Sequence, residues 1–196
     1  MTRFIGLTGG IGAGKSETLA AFERLGAATL STDRVTHELL DDDQVRAALI
    51  ERWGPQVARG EGVDRNRVGE IVFSDPGELA FLEGVLHPRV GVHVLDWRQN
   101  LGADVEVAVV EVPLLFEAAM EGAFDATVAV VAGDEIREAR LRERGQPGLE
   151  GREGRQLNQG EKERRADHVI RNEGSIEELE SKVSELIDQI KSETAG

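Results

Sequence analysis

The sequence predicts an α/β chain: a five-stranded, mostly parallel sheet flanked by helices, with a helical insertion and a helical lid. Three observations predict it. Short apolar, β-rich segments alternate with helical patterns, as they do when a parallel sheet is covered on both faces. A glycine-rich loop joins the first of these segments to the first helix. About seventy residues without a convincing strand separate the second segment from the third, too many for one crossover helix.

The strands are expected at 4–7, 27–30, 105–110, 127–131 and, more weakly, 168–170. Residues 9–16 read Gly-Gly-Ile-Gly-Ala-Gly-Lys-Ser, a complete G-x-x-x-x-G-K-S loop between the first strand and a helix over 16–25 that stops at Gly26. In such a loop backbone N–H groups converge on phosphate oxygens and the following helix presents its positive end. Lys15 reaches the outer phosphates and Ser16 can bind Mg²⁺. The chain is therefore expected to bind a nucleoside triphosphate on a P-loop nucleotide fold. Ligands of open parallel sheets gather beyond the carboxyl ends of the strands. The phosphate loop, Asp33, the stretch 111–117 and an arginine-rich segment after the fourth strand all fall there.

The insertion spans roughly 36–100, with helical patterns at 34–40, 44–53, 67–73, 78–86 and 89–101. It either holds a second substrate or elaborates the structure. The nucleotide-binding core is then 1–35 and 101–196. After the fourth strand a helix over 135–144 carries Arg137, Arg140 and Arg144 on one face. Ten of the 23 basic residues lie between 134 and 171, nearly cancelled by neighbouring acids. Glycines at 145, 148, 151 and 154 would interrupt its helices. The segment 134–165 reads as a lid whose guanidinium groups neutralise a transferring phosphoryl, or as a solvated helix laced with Glu–Arg pairs. The last helix, 175–191, places Ile176, Leu179, Val183, Leu186, Ile187 and Ile190 on one apolar face.

Asp33 has two readings. It can accept a proton from an attacking hydroxyl, or Ser31-Thr32-Asp33 can cap the next helix, which position alone slightly favours. Glu111, ending the third strand, can organise Mg²⁺ or its water shell, or be an ordinary acid at a strand edge. Pro88 is expected to open a helix, with His87 preceding it or facing an acceptor pocket. Leu114, Leu115 and Phe116 with Glu117 have a core role as their default. Trp53 and Trp97 are expected to be packing residues.

Composition removes several classes of function. The chain has no cysteine, which excludes thiol catalysis, thiolate metal sites and disulfides. Its four histidines lack a zinc-ligand spacing. The net charge of −14 opposes general affinity for nucleic acid or anionic lipid. No apolar run approaches membrane-spanning length, and the first strand follows Met1 too closely for a leader, so a soluble, cytoplasmic protein with no obligate protein partner is expected. No Asn-Lys-x-Asp motif points to guanine.

Taken in order, the motifs resemble the dephospho-coenzyme A kinase family across nearly the whole chain. They are Leu7-Thr8 with the phosphate loop, Thr32-Asp33, Val63-Asp64-Arg65 through Ile71-Val72-Phe73, and His87-Pro88. They continue with Val112-Pro113-Leu114-Leu115-Phe116-Glu117, the arginine face, and Ala166-Asp167-His168-Val169-Ile170-Arg171-Asn172. The resemblance implies transfer of the ATP γ-phosphoryl to the ribose 3′-hydroxyl of dephospho-coenzyme A, with Mg²⁺. It implies Asp33 as general base, Lys15 and Arg140 stabilising the transferring charge, and Ser16 on Mg²⁺, with Glu111 nearby through water. ATP would meet Gly10, Ile11, Gly12, Ala13, Gly14, Lys15, Ser16, Glu17, Arg144 and Asn172. The acceptor would meet Thr8, Asp33, Arg65, His87, Pro88 and Leu114 through Glu117. The insertion would be the acceptor lobe. Ser31, Glu111 and Arg137 depart from the family's usual aspartate, aspartate and glutamine.

Overall fold

In the computed structural model, residues 2–60, 62–145 and 156–193 are described. The chain divides into two compact units, Met1–Ser31 with Leu101–Gly196, and Thr32–Asn100.

The first unit is built on β1 (Arg3–Gly9), β2 (Ala28–Ser31), β5 (Val107–Glu111), β6 (Ala126–Val131) and β7 (His168–Arg171), in the order β2-β5-β1-β6-β7. Every pairing in this sheet is parallel, so the expected five strands form a wholly parallel sheet. Central β1, β5 and β6 are buried almost throughout, consistent with their continuous apolar runs rather than alternation. Register aligns Leu7 of β1 and Ser31 of β2 with Glu111 of β5, so the strands' carboxyl ends share one edge.

Against the sheet lie α1 (Lys15–Arg24) and α8 (Ile176–Ser192), burying Phe22, Leu179, Val183, Ile187 and Ile190 with Ile5, Leu7 and Val128 in one core. Ser175 caps α8 through the Glu178 amide. Ile176 leaves the expected apolar face and is 53% exposed. It occupies the first helical position, one turn above where the stripe meets the sheet. α6 (Asp134–Glu143) follows β6, and α7 (Gln159–Arg165) precedes β7. The Asp167 carboxylate accepts from the amide and hydroxyl of Thr127, tying the start of β7 to β6. The glycines expected to interrupt the lid at 148, 151 and 154 lie outside the described residues.

The second unit contains α2 (Thr32–Leu39), α3 (Asp43–Trp53), α4 (Arg65–Ser74) and α5 (Pro76–Gln99). Asp42, Asp64 and Asp75 cap the last three by accepting from first-turn amides. Val45, Leu49, Val57, Val68, Val72 and Leu86 form its core. Two expectations are corrected here. The insertion does contain strands, β3 (Ala58–Arg59) and β4 (Gly62–Val63), an antiparallel ribbon too short to show periodicity. Gly60 turns it with φ +60°. Pro88 does not open a helix; it lies inside continuous α5. Proline removes one amide donor, and its ring crowds the carbonyl four residues back, here that of Gly84. Arg89 Nη1 donates to the adjacent Val85 carbonyl at 2.8 Å, supporting the turn the proline weakens.

Trp53 Nε1 donates to Glu78 at 2.7 Å, and Arg52 grips the same carboxylate with two bonds of 2.8 and 3.0 Å. Arg52 first, then Trp53, holds the Glu78 carboxyl below the usual glutamate range. A depressed folded-state pKa contributes stability above the ordinary range, lost as pH falls through the folded value. In a Trp97→Phe background, Trp53 emission is expected to change only at a pH below that at which a free glutamate titrates, and Glu78→Gln is expected to remove this transition. No helix among the described residues is long and apolar enough to cross a membrane.

Candidate active site

The phosphate loop leaves β1 at Gly9 and enters α1 at Lys15, as the strand-loop-helix pattern predicts. Gly12 and Gly14 take φ +75° and +96°, where an L side chain is strained. A Cβ on Gly14 would stand 2.1 Å from Asn172 Nδ2. Lys15 Nζ donates to the Gly9 and Gly10 carbonyls at 3.2 and 3.3 Å. Ser16 is exposed in the first turn of α1, and Thr18 Oγ1 returns to the Gly14 carbonyl.

Side chains distant in sequence hold the loop from outside. Arg137 Nε donates to the Ile11 carbonyl at 2.7 Å, and its Nη1 pairs with Asp134 at 2.9 Å. Arg137 is 3% exposed, so it supports the loop backbone and does not face solvent. Arg140 Nη1 donates to the Ala13 carbonyl at 3.2 Å, and Asn172 Nδ2 to the same oxygen at 2.9 Å. Gln159 forms a two-way bond with the backbone of Ala132, just beyond β6. These contacts occupy the Ile11 and Ala13 carbonyls, and within the loop the Ala13 amide donates to the Gly10 carbonyl at 3.2 Å.

Beside Gly14 opens a cleft of about 200 Å³, lined among others by Glu17, Arg140, Arg144, Asn172 and Ile176. The sequence-predicted ATP residues Gly14, Glu17, Arg144 and Asn172 therefore converge there, and the outward-turned Ile176 supplies an apolar wall. Gly14→Ala adds strain of ~1–3 kcal/mol and displaces Asn172. Its Kd for ATP is expected to rise about 10-fold or more, read by calorimetric titration.

Past β5, Leu115 and Phe116 are buried and Pro113 and Glu117 half-buried, with Thr8 of β1 buried beside Pro113. Leu115 and Phe116 are 0% and 2% exposed. Leu115 lies against Gly6, and the Arg165 guanidinium stacks 4.8 Å above the Phe116 ring. Sequence reasoning missed the centre of this cluster, Lys162 on α7, which is 0% exposed. Its Nζ donates to the Pro113 carbonyl at 2.7 Å and to Thr8 Oγ1 at 3.4 Å, and it pairs with Glu117 Oε1 at 3.0 Å. Burial pushes its ammonium below the ordinary lysine range, with Glu117 opposing the shift. The available signal was slight: Lys162 is one of four lysines in an arginine-rich chain.

Glu111 is 4% exposed at the end of β5. The Ser16 hydroxyl and the Glu111 carboxylate are hard oxygen donors of the kind Mg²⁺ takes beside phosphate and water oxygens, so the donor set fits that ion.

In the second unit, Asp33 is exposed in the first turn of α2, two residues past β2. The helix starts at Thr32, which makes Asp33 its second residue. Among the described residues the Asp33 carboxylate has no hydrogen-bond partner. Arg65 Nη2 donates to Asp41 at 2.8 Å and to the His37 carbonyl at 3.1 Å. His87 and Pro88 are exposed on α5.

A parallel sheet ending in a lysine-bearing glycine loop, supported by arginines and beside a nucleoside-sized cleft, defines a P-loop phosphotransferase. The dephospho-CoA kinase family model matches residues 3–178. The chain is 37% identical to the dephospho-CoA kinase of Symbiobacterium thermophilum, over 92% of this chain and 78% of that one. It is 38% identical to the dephospho-CoA kinase of Moorella thermoacetica, over 91% and 88%. A Thermus thermophilus protein of known crystal structure superposes with a TM-score of 0.81 at 32% identity, covering 96% of this chain and 97% of its own. The chain belongs to the dephospho-CoA kinase family, whose members phosphorylate dephospho-CoA in coenzyme A biosynthesis.

Proposed function

We propose that the chain transfers the γ-phosphoryl group of ATP to the ribose 3′-hydroxyl of dephospho-CoA, giving coenzyme A and ADP. The observation that carries this reading is the phosphate loop clamped at Ile11 and Ala13 by Arg137, Arg140 and Asn172, next to a cleft able to take a nucleoside. The loop amides from Gly10 to Ser16 bind the phosphates. Glu17, Arg144 and Asn172 border the ATP nucleoside.

Asp33 accepts the proton of the attacking hydroxyl, a task suited to an exposed carboxylate not already engaged by a hydrogen bond. Lys15 and Arg140 neutralise charge that spreads over the equatorial oxygens as the γ-phosphoryl moves. Ser16 and, through water, Glu111 would hold Mg²⁺, which supplies charge neutralisation between the phosphates when bound. Thr8, Arg65, His87, Pro88, Leu114, Leu115, Phe116 and Glu117 belong to the acceptor side. Residues 36–100 are the acceptor lobe and 134–165 the lid; of the lid, 146–155 lie outside the described residues. The small-molecule substrates and the acidic surface fit an enzyme of the cytoplasm acting without nucleic acid or membrane.

The test is turnover of the full chain with ATP and Mg²⁺, coenzyme A being read by mass spectrometry and adenosine and AMP offered as rival acceptors. Coenzyme A formed preferentially supports the reading. ATP binding without coenzyme A formation rejects the acceptor.

A further inference from the structure

Arg137, on α6, meets three consecutive residues of the phosphate loop. A Cβ on Gly10 would stand 3.2 Å from Arg137 Nη2, the Ile11 carbonyl accepts from Nε at 2.7 Å, and a Cβ on Gly12 would stand 2.9 Å from the Arg137 carbonyl oxygen. Gln159, which opens α7, closes the other side of Gly10. Its Cγ lies 3.0 Å from that glycine's Cβ position, while its amide is held by the backbone of Ala132.

The bond to Ile11 fixes more than a carbonyl. The peptide joining Ile11 to Gly12 is trans and planar, so its C=O and its N–H point in opposite directions. Gripping the oxygen with Arg137 Nε therefore turns the Gly12 N–H away from that nitrogen. Gly12, with φ +75° and no Cβ, offers little steric resistance to a flip of this peptide, so an outside tie is needed to hold it. The Ala13 amide is spent on the Gly10 carbonyl at 3.2 Å, whereas the Gly12 amide has no hydrogen-bond partner among the described residues. An unpaired backbone N–H in a glycine-rich loop is a donor suited to an anion.

Stability alone is a weak reason for this arginine. Arg137 is 3% exposed, while Asp134, which pairs with its Nη1, has a side chain 76% exposed. A guanidinium taken out of water opposite a solvated carboxylate gains little from the pair.

We infer that Arg137 is a positioning residue for the ATP phosphates: its Nε, by holding the Ile11 carbonyl, aims the Gly12 N–H at a phosphate oxygen. The inference deepens the proposed function and rests on its nucleotide half alone. Arg137 acts through Gly12 and not by contact with ATP, so the loop uses its donor nitrogen rather than its charge.

Three substitutions separate donor from charge, because each puts a different group where Nε stands. Arg137→Gln places an uncharged amide NH2 there. Arg137→Lys places a methylene there and keeps a charge one bond further out, and Arg137→Met places a methyl there with no charge. ATP Kd is read by calorimetric titration, with the KM for dephospho-CoA and the melting temperature of each variant beside it. Arg137→Gln is expected to bind ATP within a few-fold of wild type. Arg137→Lys and Arg137→Met are expected to bind it about 10- to 100-fold more weakly, the worth of a hydrogen bond to a charged group, with the KM for dephospho-CoA at the wild-type value. A glutamine variant as weak as the methionine one, a lysine variant that binds like wild type, or a wild-type Kd in all three overturns the inference. So does a loss of ATP affinity matched by an equal rise in the KM for dephospho-CoA, the mark of a merely structural arginine. If the methionine variant does not fold, the other two decide: tight binding with glutamine and weak binding with lysine supports the inference, and any other order overturns it. Wild type that binds ATP yet makes no coenzyme A sinks the proposed acceptor and leaves the titration to judge Arg137, whereas wild type that does not bind ATP sinks both.

Discussion

Asp33→Asn is expected to lower kcat by ~10²–10⁴-fold, the range spanned by general base catalysis, with little change in ATP affinity or melting temperature. The substitution keeps the side chain's size and removes its ability to take a proton. Asp33 is exposed in the first turn of α2 and, among the described residues, bonds to nothing, so no packing or cap is disturbed. Stability and catalysis therefore separate at this position, unlike at a buried acid. Coenzyme A formation at saturating ATP and dephospho-CoA measures the loss, and a nucleotide titration checks that the loop is intact. If the asparagine variant turned over within a few-fold of wild type, Asp33 would be reduced to a first-turn acid favourable to the helix dipole, and the base would have to be sought elsewhere.

Residues with local causes were readable from the sequence, and residues whose role depends on distant contacts were not. β1, β5 and β6 are central strands buried on both faces, so their apolar runs marked them to within two residues. The phosphate loop is equally local: its glycines are needed where φ is positive, at Gly12 and Gly14, and their spacing is the motif itself. Pro88 misled because proline's effect on a helix is ordinarily local, whereas here α5 continues through it, with Arg89 bonded to the Val85 carbonyl. Ile176 misled for the opposite reason. Periodicity assigned it to the apolar stripe, but a first-turn position stands beyond the sheet and borders the cleft.

The site shows the same division. Arg137, Arg140 and Arg144 were visible as one helical face, yet spacing could not separate their tasks. Arg137 is buried on the Ile11 carbonyl, Arg140 reaches the Ala13 carbonyl, and Arg144 borders the cleft. Lys162 was invisible because its partners lie 154, 49 and 45 positions away in the chain, at Thr8, Pro113 and Glu117. A charged residue inside a polar helix, with neighbours Glu161 and Glu163, reads as solvated until tertiary contacts bury it.

Lys15→Met is expected to reduce kcat by ~10²–10³-fold, the cost of removing one preorganised donor from developing transition-state charge. Methionine preserves the stem and removes the ammonium, so the change isolates charge from shape. The shape of the loop does not depend on Lys15 alone. The Ile11 and Ala13 carbonyls remain tied by Arg137, Arg140 and Asn172, and Gly14 still accepts from Thr18. ATP should consequently bind the variant, with weakening smaller than the fall in kcat, because the loop amides and the cleft survive. Single-turnover measurement of phosphoryl transfer at saturating ATP, set beside a direct binding titration, separates the two effects. A variant that binds ATP as wild type does and transfers phosphate at nearly the wild-type rate would remove Lys15 from the transition state. A variant that binds ATP more weakly yet transfers phosphate at the wild-type rate once saturated would make the ammonium a contact equally strong before and during the reaction, since such an interaction lowers KM without raising kcat.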